Sequence, residues 1–350
     1  MNIKLNNTNI ELTPNIKLAV QLNKNANPKW WKEIISFLED WANDSKYITL
    51  KTSGSTGIPK TINIEKSKLW VSATKTCNYF KLNKNSTALL CLSVNYIAGK
   101  MMLVRAMVSG MNLICIEPSE NPVKGLTTPI DFAAMVPMQV QQSITLPKKI
   151  SLIKHLIIGG AKVNHLLISE LKKHNVNAYE TFGMTETLSH IAIKQIAPHY
   201  NNYFTPLNGI IVTHDTNNNM VIDYPELNII KLKTNDIIEI IDNNGSFIWR
   251  GRTDFIINTG GVKIIPEEIE GKIAHLITRP YCIIGLPDKK LGQKAVLVIS
   301  GNQFNTLNLH NKLTKLLPPY HCPKEIKFLE KFPVTNSGKI KRNKIIEALQ

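Results

Sequence analysis

The spacing of apolar positions changes along the chain and predicts its elements. Residues 28–43 (PKWWKEIISFLEDWAN) place apolar side chains at helical spacing, which predicts an amphipathic helix. From Thr87 onward, short apolar runs such as ALLCLSV, MNLICIE and IKHLIIGG are separated by helical stretches such as IAGKMMLVRAMVSG. Strands that alternate with helices in this way predict parallel β-α-β units.

After about Pro206 the pattern becomes β-rich, with VIDYP, NIIKLKTNDIIEIID and FIWRGR around the turn sequence NNGS. Beyond Arg252 a small α+β unit follows, with helices predicted at PEEIEGKIAHLI and LNLHNKLTKLL and strands at YCIIGLP, KAVLVIS and EIKFLE. We therefore predict an α/β protein. Residues 1–252 form a large N-terminal domain of layered α/β sheets with a β-rich closing portion, and residues 253–350 form a small mobile α+β C-terminal domain.

Length and composition agree with two globular domains, since the 350 residues are 43% hydrophobic. The longest apolar stretch, Ile97 to Ile116, contains Lys100 and Arg105, which argues against a membrane span. The amino terminus has neither the apolar stretch nor the cleavage site of a secretory signal. We expect a cytoplasmic protein with no integral membrane segment.

Charge and cysteine content argue against two further classes of protein, nucleic-acid-binding proteins and zinc proteins. The formal net charge is +16, but the lysines are dispersed among Asn and Ile, which favours a solvated basic surface over a nucleic-acid site. Such a surface also attracts anionic small molecules. The five cysteines form no CxxC pair and no zinc spacing, so we expect buried, reduced thiols.

The first motif that suggests chemistry is Thr52–Lys60. Small residues let backbone N–H groups converge on phosphate oxygens, and a lysine adds positive charge. Pro59 stands where the Walker A loop requires Gly, which excludes that loop because Pro lacks the N–H and the conformational freedom of Gly. Alone, the segment is equally consistent with an exposed Gly/Ser turn. The candidate phosphate ligands are Thr52, Ser53, Gly54, Ser55, Thr56, Gly57 and Lys60.

The second motif, Tyr179–Thr187, follows the strand-like run that ends in Gly159, Gly160 and Ala161. An aromatic side chain beside glycines suits a flat adenine ring, and Thr185 with Glu186 offers oxygen ligands for Mg²⁺. A lone Thr-Glu pair is more often a helix cap.

Three further segments are each typical of ordinary structure when they are taken singly. Residues 233–236 suggest a β-turn, residues 249–270 a turn that leads into a capped helix, and residues 333–342 a solvated basic tail. Their order along the chain changes this interpretation.

Together, these five segments resemble the adenylate-forming superfamily of acyl-CoA synthetases, peptide-synthetase adenylation domains and luciferases. The resemblance spans roughly Lys51 to Arg342. It implies an acid-thiol ligase that uses ATP and Mg²⁺ to convert a small carboxylic acid into its acyl-adenylate and then transfers the acyl group to coenzyme A.

Within this superfamily, residues 95–106, 131–137 and 183–192 are most similar to the o-succinylbenzoate-CoA ligases of menaquinone biosynthesis. The resemblance therefore implies o-succinylbenzoate as the acid. Two alternatives stay open: a ligase for another aromatic or fatty acid, and a non-catalytic nucleotide-binding relative.

The resemblance also implies roles for individual residues. Lys339 would act between the carboxylate and the α-phosphate, Thr185 and Glu186 would act at the reacting phosphates with Glu186 on Mg²⁺, and Asp254 would be the hinge of the small domain. The remaining nucleotide and coenzyme A contacts would be Gly159, Gly160, Ala161, Phe182, Gly183, Asp236, Arg252, Gly260 and Gly261.

An aromatic keto-diacid requires a cation or hydroxyl for its second carboxylate. The candidates for the acid site are Tyr96, Lys100, Arg105, Ser189 and His190. A solvent-facing or ion-paired role for Arg105 is equally open at this point, as is simple packing of His190.

The chain departs from the superfamily pattern at several positions. Only about fifty residues precede the phosphate loop, so we expect part of the usual amino-terminal subdomain to be missing or reduced. A homodimer is the assembly that the size of this region suggests. Tyr96 stands where many relatives have His, Asn235 where they have Gly, and Phe255 where the hinge has a second acidic residue.

Overall fold

The computed structural model describes residues 1–14, 28–51, 61–335 and 338–350. The chain divides into two compact units. Unit 1 comprises residues 1–163, 167–210 and 224–229, and unit 2 comprises residues 164–166, 211–223 and 230–350. Most of the β-rich portion is thus grouped with the C-terminal residues, and the domain boundary at 252/253 stays a prediction.

Unit 1 is built on a nine-stranded sheet in the order β11-β10-β9-β8-β7-β5-β6-β1-β2. The six strands from β9 to β1 along this order are parallel, while β2, β10 and β11 pair antiparallel at the two sides. The strands are β1 (Asn2–Leu5), β2 (Thr8–Glu11), β5 (Thr87–Leu90), β6 (Asn112–Cys115), β7 (Ile130–Met135), β8 (Ile153–Ile158), β9 (Ala178–Gly183), β10 (His190–Ala197) and β11 (Thr205–Pro206). The alternation of strands and helices in the sequence therefore gives the predicted α/β fold.

Helices and one hairpin accompany this sheet. The hairpin consists of β3 (Tyr47–Lys51) and β4 (Thr61–Glu65). The helices are α1 (Lys29–Ala42), α2 (Lys66–Phe80), α3 (Ile97–Ser109), α4 (Pro137–Ser143), α5 (Pro147–Ile150) and α6 (His165–Lys173).

The helices bury the faces that their sequences predict. Helix α1 buries one apolar stripe, whereas α3 buries Gly99 and the run from Met101 to Met107, so it is enclosed by protein on nearly every face. It ends at Gly110, which adopts the left-handed conformation common at helix C-termini. A helix this enclosed offers few routes to water for a polar side chain.

Unit 2 contains two smaller sheets. One has the order β12-β13-β14-β15, and the other has the order β17-β16-β19-β18 with β20 alongside β19. The strands are β12 (Ile211–His214), β13 (Asn219–Tyr224), β14 (Ile229–Ile240), β15 (Phe247–Arg252), β16 (Ile257–Thr259), β17 (Val262–Ile264), β18 (Tyr281–Asp288), β19 (Gly292–Ser300) and β20 (Glu325–Leu329). The helices are α7 (Pro266–Ile273), α8 (Leu307–Leu316) and α9 (Arg342–Leu349).

Two expectations from composition can be checked in the described residues. All five cysteines are free and buried, as predicted. Within the described ranges, no helix is both long and apolar enough to cross a membrane.

Candidate functional site

The predicted phosphate loop, with Thr52, Ser53, Gly54, Ser55, Thr56, Gly57 and Lys60, lies outside the described residues. Strands β3 and β4 on either side of it pair in antiparallel register, from Tyr47 opposite Glu65 to Lys51 opposite Thr61. The role of this loop therefore stays a prediction.

The turn between β9 and β10 carries Thr185 and Glu186, both exposed. The buried hydroxyl of Thr187 donates toward the Met184 and Ser189 carbonyls, at 3.1 and 3.0 Å, and accepts from the Met184 N–H. A Cβ on Gly183 would lie 2.4 Å from the Ser189 carbonyl oxygen, so only glycine allows this close approach. The turn thus presents Thr185 and Glu186 outward while it anchors Ser189 and His190.

The burial of Arg105 decides between the alternatives that the sequence left open for it. Arg105 is neither solvent-facing nor ion-paired: it is 2% exposed, and the described residues give it no carboxylate partner. Its Nη2 donates to Ser189 Oγ at 3.0 Å, its Nη1 lies 3.6 Å from Met102 Sδ, and its Nε is buried without a hydrogen-bond partner. Burial lowers the pKa of Arg105 to about 10, so the guanidinium is still charged at neutral pH.

His190 lies beside this cation. Its Nδ1 is 3.4 Å from Ser189 Oγ, and its Nε2 is 3.1 Å from Thr76 Oγ1 on α2. Burial, and then the nearby Arg105 charge, hold the pKa of His190 well below its usual range. The imidazole is therefore neutral, and the structure brings Arg105, Ser189 and His190 together as one cluster.

The other two candidates for the acid site are Lys100, on the same helix as Arg105, and Tyr96, just before that helix. The Lys100 ammonium lies 5.0 Å from the centre of the Phe37 ring on α1, and burial lowers its pKa against the opposing effects of Asp40 and Glu33. Tyr96 is the residue that precedes α3 and is 42% exposed. Both remain candidates, but they do not share the hydrogen bonds of Arg105.

The predicted adenine segment, Gly159 to Ala161, follows β8. Just beyond it, the Val163 N–H donates to Glu180 Oε1 at 2.9 Å, and Glu180 Oε2 lies 2.6 Å from Lys194 Nζ on β10. Both charged side chains are largely buried, and Lys194 also lies over the Phe204 ring. This ion pair, which sequence reasoning missed, fixes the end of the loop to the sheet.

Phe182 and Gly183, the remaining nucleotide candidates of unit 1, end β9. The Phe182 ring packs against Phe204, with ring centroids 5.7 Å apart. Phe182 is partly exposed beside the 183–190 turn, an arrangement that suits stacking on a flat ring.

In unit 2, the predicted ribose contacts form a charged cluster on two paired strands. Asp236 and Arg252 are directly opposite each other in the register of β14 and β15, with Arg252 Nη1 3.4 Å from Asp236 Oδ2. Trp249 Nε1 donates to the other Asp236 oxygen at 2.9 Å. Asp254 accepts from Arg252 Nη2 at 2.5 Å and from Asn235 Nδ2 at 2.6 Å. Every charged group in this cluster is thus paired with an opposite charge.

Lys339 belongs to the same electrostatic environment. Its N–H donates to Thr335 Oγ1 at 3.1 Å, and Val334 and Ile340 form an antiparallel bridge on either side of it. Lys339 is exposed overall, yet the protein around its ammonium lowers its pKa by desolvation; Arg252 lowers that pKa further, while Asp236 raises it. An ammonium that is already partly desolvated loses less hydration energy when it approaches a reacting anion.

Gly260 and Gly261, the predicted thiol-channel segment, both have left-handed backbone angles, with φ of 58° and 83°. A Cβ on Gly260 would approach Leu291 at 3.2 Å and Tyr320 at 3.4 Å. The Phe255 ring, at the unusual hinge position, lies 5.4 Å from the Arg342 guanidinium. Arg342 also forms an ion pair with Glu270 at 2.8 Å, so Phe255 contacts a cation that already has a carboxylate partner.

The donor set fits a magnesium ion held mainly by substrate. In the part of the chain that is described, no group of three His, Cys, Asp or Glu side chains could hold a metal alone. Glu186 is exposed and available as a single carboxylate ligand. One carboxylate together with phosphate oxygens is the arrangement that Mg²⁺ commonly adopts.

Comparison with known families gives two matches. Residues 13–223 match the family described as AMP-binding enzyme, and residues 275–339 match the AMP-binding enzyme C-terminal domain. The first match alone covers more than half of the chain.

Curated relatives agree with these families. The chain is 25% identical over 343 residues to a 2-succinylbenzoate–CoA ligase of Listeria monocytogenes serotype 4b (strain F2365), covering 90% of this chain and 73% of the relative. It is 26% identical over 330 residues to the ligase of the same name from Staphylococcus epidermidis (strain RP62A), covering 84% of this chain and 68% of the relative.

Solved structures extend the comparison. An acyl-CoA synthetase (AMP-forming)/AMP-acid ligase II-like protein from Dyadobacter fermentans is 35% identical, with a TM-score of 0.62 over 94% of this chain and 98% of its own. A second structure is the o-succinylbenzoate coenzyme A synthetase (MenE) from Bacillus subtilis, in complex with ATP and magnesium ion. It is 19% identical, with a TM-score of 0.71 over 89% of this chain and 74% of its own, and it shows the shared fold. The chain belongs to the AMP-binding enzyme family.

Proposed function

We propose that the protein activates o-succinylbenzoate with ATP to give its acyl-adenylate and pyrophosphate, and then transfers the acyl group to coenzyme A, as a step in menaquinone biosynthesis. The observation that carries the substrate is Arg105: a buried, charged guanidinium with an unpartnered Nε and no carboxylate partner in the described residues. A buried cation without a counter-charge is costly, which a second substrate carboxylate would offset.

In the first half-reaction a substrate carboxylate oxygen forms a bond to the α-phosphorus of ATP. The bond between that phosphorus and the bridging oxygen to the β-phosphate breaks, and pyrophosphate leaves with the electron pair. Negative charge accumulates on the phosphate oxygens, and the Lys339 ammonium would stabilise it more in the transition state than in the ground state. No side-chain nucleophile is needed.

The remaining residues of this half-reaction bind and orient. The 52–60 loop would hold the terminal phosphates, and Glu186 would be the protein ligand of Mg²⁺, which neutralises phosphate charge when it is bound. Asp236, already positioned by Trp249, would accept a hydrogen bond from a ribose hydroxyl. Gly159, Gly160, Ala161 and Phe182 would contact the adenine ring.

In the second half-reaction the thiol sulfur of coenzyme A forms a bond to the acyl carbon, its proton is lost, and AMP leaves. The C-terminal residues would rotate about Asp254, withdraw Lys339 and bring Gly260 and Gly261 to the thiol. The left-handed angles of both glycines support a close approach of backbone to a ligand.

The test is pyrophosphate release by the purified protein with ATP, Mg²⁺ and a panel of acids, with thioester formation followed when coenzyme A is added. The panel contains o-succinylbenzoate, benzoate and a fatty acid. Turnover of o-succinylbenzoate to a thioester supports the proposal. Preference for another acid overturns only the substrate. If none of the acids causes pyrophosphate release, the enzymatic function is overturned.

Lys339→Ala accompanies this assay, with the nearby surface variant Lys344→Ala as its control. We expect Lys339→Ala to lower adenylation by about a hundred- to a thousand-fold while ATP binding persists. Lys344 pairs with Glu347 one helical turn away, and its loss should leave the rate unchanged.

The same proposal includes a cytoplasmic location, where ATP and coenzyme A are available, and a homodimer. Size-exclusion chromatography with light scattering measures the assembly: a single mass near 39.4 kDa would contradict the dimer.

A further inference from the structure

Four polar side chains of unit 1 form a continuous hydrogen-bonded path from Arg105 to helix α2. Arg105 Nη2 donates to Ser189 Oγ at 3.0 Å, and Ser189 Oγ lies 3.4 Å from His190 Nδ1. His190 Nε2 lies 3.1 Å from Thr76 Oγ1, which donates to the Ser72 carbonyl at 3.5 Å. Thr76 and His190 are both buried, so water does not compete for these bonds.

Donors and acceptors can be assigned along this path so that each of the four contacts is a hydrogen bond. The Thr76 hydroxyl has a single proton, and when that proton goes to the Ser72 carbonyl, Thr76 must accept from His190 Nε2–H. The neutral imidazole then offers Nδ1 as an acceptor to the Ser189 proton. Ser189 in turn presents a lone pair to Arg105, so the path runs without conflict from the guanidinium to the helix carbonyl.

We infer that Thr76 and His190 are positioning residues, which orient the Ser189 hydroxyl and thereby hold the Arg105 guanidinium in place for the second carboxylate of the substrate. This inference rests on the proposed function. It assigns recognition of the diacid to Arg105, with Ser189 as its acceptor, and it gives Thr76 a role that its place inside an ordinary helix does not reveal.

The reverse arrangement predicts a different chemistry. If Thr76 donated to His190 Nε2, the imidazole would carry its proton on Nδ1, and the Ser189 proton would be free for the substrate. The tautomer of His190 therefore distinguishes whether Ser189 serves Arg105 or contacts the acid itself.

The experiment compares Thr76→Val, Thr76→Ser and the control Thr74→Val in the full chain. Valine keeps the volume of Thr76 and removes its hydroxyl. Thr74 lies on the same helix, and its hydroxyl donates to the Trp70 carbonyl at 2.9 Å. The measured quantities are kcat and KM for o-succinylbenzoate and for benzoate, together with the His190 tautomer from nitrogen-15 NMR, assigned with His190→Gln.

We expect Thr76→Val to raise KM for the diacid roughly three- to tenfold, because the variant loses about one hydrogen bond. The value of kcat should be nearly unchanged. The kinetics with benzoate should not change, Thr76→Ser should restore the low KM, and His190 should carry its proton on Nε2. An unchanged KM in a folded Thr76→Val, or a proton on Nδ1, overturns the inference.

The assays distinguish failure of the proposed function from failure of the inference about Thr76 and His190. If the unmodified protein does not turn over o-succinylbenzoate, the proposed function fails and the tautomer alone decides the hydrogen-bond direction. If it does turn over the diacid and Thr76→Val behaves like Thr74→Val, only the inference fails. If Thr76→Val does not fold, the tautomer and Thr76→Ser decide.

Discussion

Arg105 of unit 1 and the two arginines Arg252 and Arg342 of unit 2 differ in how their charge is compensated. In unit 2, Arg252 lies between Asp236 and Asp254, and Arg342 bonds Glu267 and Glu270 at 3.3 and 2.8 Å. In unit 1, Arg105 is more deeply buried than Arg252, and its described polar partners are a hydroxyl and a thioether.

The difference is visible in the pKa values of the two buried arginines, Arg342 and Arg105. Opposite charges around Arg342 raise its pKa, whereas burial without them lowers the pKa of Arg105. Since proteins rarely bury a cation without compensation, we propose that Arg105 marks the place where a substrate anion binds. Substitutions that create or remove a buried charge without a partner therefore test whether Arg105 differs from the paired cations.

The largest effect is expected when a compensated buried pair of unit 1 loses one partner. Glu180→Ala leaves Lys194 buried beside Phe204 without its carboxylate, and it removes the acceptor of the Val163 N–H. We predict a loss of about 3–5 kcal/mol in the free energy of unfolding, measured by urea denaturation. Glu170→Ala, which removes a solvent-exposed carboxylate on α6, is the control. A loss under about 1 kcal/mol for Glu180→Ala would show that the pair contributes little.

The converse effect is expected at Arg105. Arg105→Met removes the uncompensated charge and keeps an apolar stem of similar length, so we predict that the free energy of unfolding rises by about 1–3 kcal/mol. Urea denaturation without substrate measures it. A destabilised Arg105→Met would mean that the guanidinium stabilises the fold, and Arg105 would then resemble the cations of unit 2.

A smaller effect concerns pH. The folded-state pKa of His190 lies well below its usual range, so the unfolded chain binds one more proton once the pH falls below about 6.5. The neutral His190 therefore stabilises the fold above that pH. As the pH falls, the free energy of unfolding decreases by up to about 1.4 kcal/mol per pH unit. His190→Gln should reduce this slope in denaturation curves between about pH 6.5 and pH 5. An identical slope would show that folding does not lower the pKa of His190.

The smallest effect is expected in unit 2. Asp254→Ala removes one partner of Arg252, but Asp236 remains opposite on the neighbouring strand and the pair is partly exposed. We predict a change under about 1 kcal/mol in the free energy of unfolding. If this variant loses thioester formation but retains adenylation, the hinge role of Asp254 is supported; equal loss of both steps would contradict it.

Much of the fold could be predicted because it depends on local pattern. The helix at 28–43 was confirmed as α1, and the C-terminal helices and strands follow the predicted order. The hairpin of β1 and β2 at the sheet edge was not predicted, since short strands with alternating polar residues give a weak signal. The antiparallel direction of β10 likewise depends on the turn at 183–190, in which Thr187 and Gly183 set the geometry.

The site was less accessible to sequence reasoning because its contacts are long-range. Arg105 and Ser189 are separated by 84 positions, and Thr76 and His190 by 114. The apolar sequence of α3 agrees with a buried Arg105 but does not show which side chains contact it, and Thr76 lies in an ordinary helix. The motif residues were identified by their order along the chain, whereas the burial of Arg105 and the Glu180–Lys194 pair required the folded structure.

The central claim is that Arg105 is the recognition group for a second carboxylate, and the ratio of kcat/KM for o-succinylbenzoate to that for benzoate tests it directly. We predict that Arg105→Met lowers this ratio by about a hundredfold, because the diacid loses its counter-charge and benzoate loses nothing. A ratio that is unchanged in a folded Arg105→Met would contradict the claim and place the second carboxylate elsewhere.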